Sequence, residues 1–207
     1  MIGEIDDAMK ALVREAPGIG ADIDVVLDAP TKDWAARRNA PTVDLFLYDI
    51  REDLKRREQG FLEERDERGI VTVRRPAPRY FKLSYLVTAW TQRPDDEHRL
   101  LDALMRCFLR FDAIPEAFVV DTLAETGLPA WVSVALPPPE DRAFADVWSS
   151  LGGELKPSLD VVVTAPITTG VEYHVGPPVT AGMRGDFNWM GVDAAEDRTA
   201  RPAPTER

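Results

Sequence analysis

The sequence is poor in the groups that do chemistry. Among 207 residues there is one cysteine, Cys107, and there are two histidines, His98 and His174. One thiol cannot close a disulfide within the chain, so the cytosol is the simplest compartment. One thiol and two imidazoles also leave little material for a zinc site, whose ligands are usually His and Cys at short spacing. No G-x-S-x-G nucleophile elbow is present. Gly18-Ile19-Gly20 lacks the third glycine of a dinucleotide loop and follows a helical pattern rather than a strand. Gly152-Gly153 is not followed by the Lys-Ser/Thr pair of a phosphate loop. No stretch approaches the roughly 20 apolar residues of a membrane helix. Residues 1–10 carry three acids and no long apolar run, so no secretory signal is expected there.

Positive charge is scarce as well. Lys and Arg number 25 against 36 Asp and Glu, a net charge of -11. A nucleic-acid partner would call for a basic patch to neutralise phosphates, and an anionic membrane surface would repel such a chain. Neither partner is expected.

Enough remains to build a fold. Apolar residues make up 44% of the chain, sufficient for one sizeable core in a single domain or a domain plus a tail. Ile2, Ile5, Met9, Leu12 and Val13 fall near helical spacing before Pro17-Gly18, which predicts an amphipathic first helix. Residues 22–28 read as a strand and 31–41 as a polar loop around Trp34. Residues 42–50 are apolar on both parities, as in a strand buried on both faces, or on one face plus a subunit contact. Further strands are expected at 70–74, 80–90, 131–136 and 158–164. Residues 118–120 fit either a short strand or a helix turn. Pro94-Asp95-Asp96-Glu97 opens a helix with acids where its dipole favours them, and the stripe from Leu100 to Leu109 continues it. Those acids and His98 are adjacent on a helix and point in different directions, so they do not converge on a metal. Cys107 lies in that apolar stripe as a buried structural thiol. A last helix is expected over 140–151, stopped by Gly152-Gly153. The class is α/β or α+β: a mixed, largely antiparallel sheet flanked by helices. Residues 181–207 thin out in apolar content and read as a polar, disordered C-terminal tail beyond a domain at 1–180.

Four stretches in order carry a resemblance. They are Leu45-Phe46-Leu47-Tyr48-Asp49-Ile50 and Leu83-Ser84-Tyr85-Leu86-Val87-Thr88-Ala89-Trp90, followed by two later ones. The third, 148–166, passes from Trp148 through Gly152-Gly153 and Lys156-Pro157 into Val161-Val162-Val163; the fourth is 170–179. Together they resemble the cap or tail-terminator proteins of extracellular contractile injection systems, of the virulence-cassette and antifeeding-prophage type. The resemblance runs from near Met1 to about Val179. It implies a mixed α/β terminator fold and a hexameric ring on the last layer of the inner tube, away from the baseplate. Such a ring would anchor the sheath and stop further polymerisation. Its partners would be copies of itself, the tube protein and the sheath protein. It implies a cytoplasmic product assembled into a particle that the cell can release. No catalytic residue, cofactor or metal is implied.

Three residues are candidate assembly contacts. Trp34 is a large aromatic in a polar segment, suited either to a subunit contact or to local packing. The stretch 51–68 is mostly charged, yet Phe61 and Leu62 sit at its middle. It reads as a solvated hairpin or arm, or as an arm that orders on a ring neighbour, the tube or the sheath, with Phe61 and Leu62 as its apolar anchor. Tyr48 and Trp90 suit core packing, and His174 a packed or hydrogen-bonded position. Two other functions fit the composition: a monomeric adaptor binding a peptide along a sheet edge, and a small hydrolase with dispersed carboxylates.

Overall fold

Ile5, Ala8, Met9, Leu12 and Val13 repeat at three- and four-residue intervals and define the buried stripe of α1, Ile2–Arg14. A computed structural model describes residues 1–137 and 144–176 of the chain, and Met1–Val175 form one unit. The expected tail at 181–207 lies outside the described residues, as do 177–179 of the fourth motif and 140–143 of the last helix. Of Phe144 the backbone alone is described.

Beyond α1 the chain forms β1 (Asp24–Val26), α2 (Lys32–Ala36), β2 (Thr42–Glu52), β3 (Phe61–Arg65), β4 (Val71–Pro76) and β5 (Arg79–Trp90). Then come α3 (Pro94–Phe108), α4 (Asp121–Glu125), β6 (Trp131–Val134), α5 (Phe144–Ser150), β7 (Leu159–Ile167) and β8 (Tyr173–His174). Five strands form one sheet in the order β1-β2-β5-β7-β6, parallel between β1 and β2 and antiparallel elsewhere. The expected class, mixed and largely antiparallel with flanking helices, is the observed one.

Alternation divides the sheet into two faces. Val43, Leu45, Leu83, Tyr85, Val87, Val161 and Val163 are buried against Leu12 and Met9 of α1 and Leu104, Cys107 and Phe108 of α3. The Cys107 thiol lies 3.4 Å from the Leu12 carbonyl and donates to it, which ties α3 to α1. Burial pushes this thiol's pKa up, so it stays protonated and structural. On the opposite face Thr42 and Asp44 stand across from Trp90 and Thr88. A register shift between Leu47 and Asp49 marks a bulge in β2.

Several boundaries differ from the sequence reading. The expected loop at 31–41 contains α2, because the Thr31 hydroxyl accepts from the Trp34 amide at 3.2 Å and caps a short helix. The strand at 22–28 is reduced to the three residues of β1. Residues 116–118 form a 3-10 turn that leads into α4. The charged stretch 51–68 extends β2 to Glu52, makes a 3-10 turn at Leu54–Arg56 and becomes β3. The β3–β4 turn is set by Asp66 and Gly69. Asp66 Oδ1 accepts from the amides of Arg68 and Ile70 at 2.9 and 2.8 Å, and Gly69 takes φ 77°. β8 adds to β4, giving a separate three-stranded sheet in the order β3-β4-β8.

Tyr85 joins the layers through its hydroxyl, which donates to Asp6 Oδ1 of α1 at 2.7 Å. Burial and the Asp6 carboxylate both push the phenol's pKa up, so it remains the donor. Tyr85→Phe keeps the ring and removes this bond. Urea unfolding should show a loss of about 1.5–3 kcal/mol, the usual range for a bond to a charged acceptor.

Candidate assembly surface

The hairpin has no interior. All five residues of β3 are exposed, with Phe61 at 56% and Leu62 at 54%. Strand register pairs Phe61 with Pro76 and Leu62 with Arg75, so the two side chains point to opposite faces of a thin sheet. On the Phe61 face the ring meets Tyr173 edge-on, centroids 5.6 Å apart. Charged residues frame this pair: Glu63 bonds Arg65 at 2.5 Å and Arg74 at 3.1 Å. On the Leu62 face Arg75 pairs with Glu64 and with Glu172. These exposed ion pairs fix side-chain positions more than they stabilise the fold.

The Leu62 face forms one wall of a groove of about 500 Å³. Tyr80, Glu125 and Leu128 belong to the other wall. The hairpin's base is clamped beneath it. Arg79 makes a two-pronged pair with Glu52, and the Asp53 amide donates to the Tyr80 carbonyl at 2.8 Å. Next to the groove, Arg56 lies over both Tyr80 and Trp131, 5.6 and 5.5 Å from their ring centroids.

Trp34 lies elsewhere and is 8% exposed. Its ring meets Trp90 edge-on at 5.3 Å, and Trp90 lies 6.4 Å from Trp148 of α5. Its indole N–H donates to Asp28 at 2.7 Å, and Arg38 pairs with the same carboxylate while stacking on the ring. Lys156 stacks on Trp90 and bonds Glu97 at 2.5 Å. The structure therefore places Phe61 and Leu62 side by side on one exposed strand and packs Trp34 inside the subunit. Its segment reads as polar because the side chains around the indole are charged partners. Sequence reasoning did not single out Tyr173 or the groove wall of Tyr80 and Leu128. Only the alternation of Val171, Tyr173 and Val175 marks the former, and no local pattern marks the latter.

Under the tryptophans Asp44 is fully buried, and neither carboxyl oxygen has a hydrogen-bond partner among the described residues; the same holds for Trp148 Nε1. Burial is the main cause that pushes the Asp44 carboxyl up to about 8, and the Asp28 charge adds to it. Arg38 and the amides of Asp28 and Leu45 act in the opposite sense, without either amide reaching full hydrogen-bond geometry. Among the described residues no group of three or more His, Cys, Asp or Glu is arranged to hold a metal, and no helix is long and apolar enough to cross a membrane.

The described residues thus form a five-stranded mixed sheet flanked by helices, with a second, three-stranded sheet that carries the hairpin. The chain belongs to the Pvc16 N-terminal domain family, whose model matches residues 4–181. Its fold is similar to the sheath/tube terminator of an extracellular contractile injection system, PVC, in the extended state. The TM-score is 0.67 at 24% identity, over 93% of this chain and 65% of that one. It is also similar to the tube-terminating cap of the anti-feeding prophage, with a TM-score of 0.59 at 20% identity, over 87% of this chain and 60% of that one. The chain thus spans less than two thirds of the length of either structure. No curated protein matches it.

Asp44 gives the fold a pH dependence with a definite sign. Its folded pKa of about 8 lies above the ordinary value of 3.8. Between those values the folded chain holds a proton that the unfolded chain has released, so stability falls as pH rises and levels off above about pH 8. Asp44→Asn keeps the position neutral throughout. Its stability relative to the parent should improve by about 2–4 kcal/mol between pH 5 and pH 8, at ~1.4 kcal/mol per unit at most. Parallel denaturation curves across that range would show that Asp44 ionises freely in the folded chain.

Proposed function

We propose that the chain is a structural cap, the tail terminator of a contractile phage-tail-like injection particle. A ring of six copies sits on the distal end of the inner tube, ends its growth and anchors the sheath. The observation that carries this reading is a family match over residues 4–181 together with a fold shared, across nearly the whole chain, with two structures named as terminators. A closed ring suits the task physically, since it satisfies every head-to-tail contact without open growth. The terminator-like domain is residues 1–180, and no catalytic role is assigned to it. Its partners are further copies of the chain, the tube protein and the sheath protein. The chain is made in the cytoplasm and leaves it only as part of the particle. Phe61 and Leu62 are the assembly contacts on this reading, while Trp34 packs within its own subunit against Trp90.

Purified chain added to polymerising tube protein should halt elongation, and electron microscopy should show six-fold density at one tube end. A protein that stays monomeric at high concentration and neither binds nor shortens tubes would overturn the assignment. A monomer that still forms rings on tube ends would support it, with the tube as template.

A further inference from the structure

The two faces of the β3-β4-β8 sheet differ in shape and charge in a complementary way. One face is a raised aromatic pair, Phe61 and Tyr173, at 56% and 52% exposure. Beside it Arg65 and Arg74 share one carboxylate, Glu63, so the patch carries an excess positive charge. The other face opens on the groove of about 500 Å³. There three carboxylates, Glu58, Glu125 and Glu172, face Arg75, which pairs with Glu172, and Arg56 lies at the edge over Tyr80. Between them lie apolar walls from Leu62, Pro78, Tyr80 and Leu128. Every copy therefore carries both a basic aromatic knob and an acidic, partly apolar socket. The two lie on opposite sides of one thin sheet, so a subunit cannot bring its own knob into its own socket.

We propose that the knob of one copy seats in the socket of the next, making the hairpin sheet a head-to-tail contact between subunits. This deepens the ring reading above and rests on it for closure. Phe61 and Tyr173 fill the apolar part of the socket, and Arg65 and Arg74 face Glu125 and Glu172. Opposite charges set the register, and aromatic burial supplies the affinity. Because knob and socket are different surfaces, the contact is heterologous, the kind that closes into a ring when the rotation fits.

Cysteine cross-linking reads this contact directly, since Cys107 is buried and gives little background. Glu63→Cys, beside the knob, and Leu128→Cys lie on exposed positions and leave Phe61, Tyr173 and the core intact; Thr169→Cys serves in the same groove should Leu128→Cys fold poorly. An equimolar mixture of knob and socket variants, oxidised on tube ends and in solution, should give mixed covalent dimers in about tenfold excess over either homodimer, as disulfide geometry demands close Cα atoms. Dominant Glu63→Cys homodimers would overturn the proposal in favour of a two-fold contact. A Leu128→Cys thiol already shielded from a maleimide in dilute monomer would overturn it too, because the socket would then be filled within its own chain. Parent rings on tube ends without mixed dimers would overturn this contact and leave the cap reading standing. Mixed dimers from a protein that does not stop tube growth would support the contact and remove the cap reading.

Discussion

Two-sided burial of the β2–β5 pair is the constraint on which the rest of the structure depends. Leu45, Leu83, Tyr85 and Val87 are inaccessible on one face, while Thr42, Asp44, Leu86 and Thr88 are inaccessible on the other. The first face is covered in the ordinary way, by amphipathic helices of 13 and 15 residues. Among the described residues the second has short covers, α2 with five residues and α5 with seven. Helices that short cannot present a long apolar stripe and have little stability of their own. Each instead contributes one indole, Trp34 or Trp148, and the large area of that ring does the covering. A tryptophan also brings an N–H that must be satisfied when buried. Trp34 donates to Asp28 and Trp90 to Thr88, while Trp148 Nε1 has no partner among the described residues.

Much of this was legible because periodicity reports burial. The α1 and α3 stripes, and the double-parity apolar pattern of β2, each follow from a helix or sheet facing a core. The acids opening α3 were legible as dipole partners, yet Glu97 does more. It accepts from the Thr91 amide at 3.1 Å and pairs with Lys156, 59 residues away, and no local pattern could announce that. Trp34 shows the same limit. Its neighbours in sequence are polar, and its partners Trp90 and Trp148 come from distant elements, so a buried indole resembled an exposed one. Asp44 is the sharper case. Alternation places it on the sheet, but its full burial and the nearby charges of Asp28 and Arg38 come from the tertiary fold.

The candidate surface was legible in part for a different reason. Phe61 and Leu62 stand out against a charged background, and that contrast marks apolar area without a core to receive it. Their direction depends on pairing. Once Gly69 and Asp66 turn the chain, the two adjacent side chains must project from opposite faces of the hairpin. Tyr173 joins Phe61 only because β8 returns across about a hundred residues to pair with β4. The surface is therefore a product of topology, assembled from segments that are each unremarkable alone.

Charge then decides what kind of association such a surface permits. A chain with a net charge of -11 repels its own copies, so unselective self-association through exposed phenyl and leucine groups is disfavoured. Repulsion at long range is compatible with a specific contact only if opposite charges meet at short range, within a Debye length of roughly 8 Å at physiological salt. The hairpin sheet meets that requirement by segregating its ions, with guanidinium excess around Phe61 and Tyr173 and carboxylate excess around Leu62 and Tyr80. A two-fold contact would set like against like, basic knob on basic knob. A head-to-tail contact sets unlike surfaces together at every junction, and it alone lets an acidic chain associate through this sheet without adding to its own repulsion.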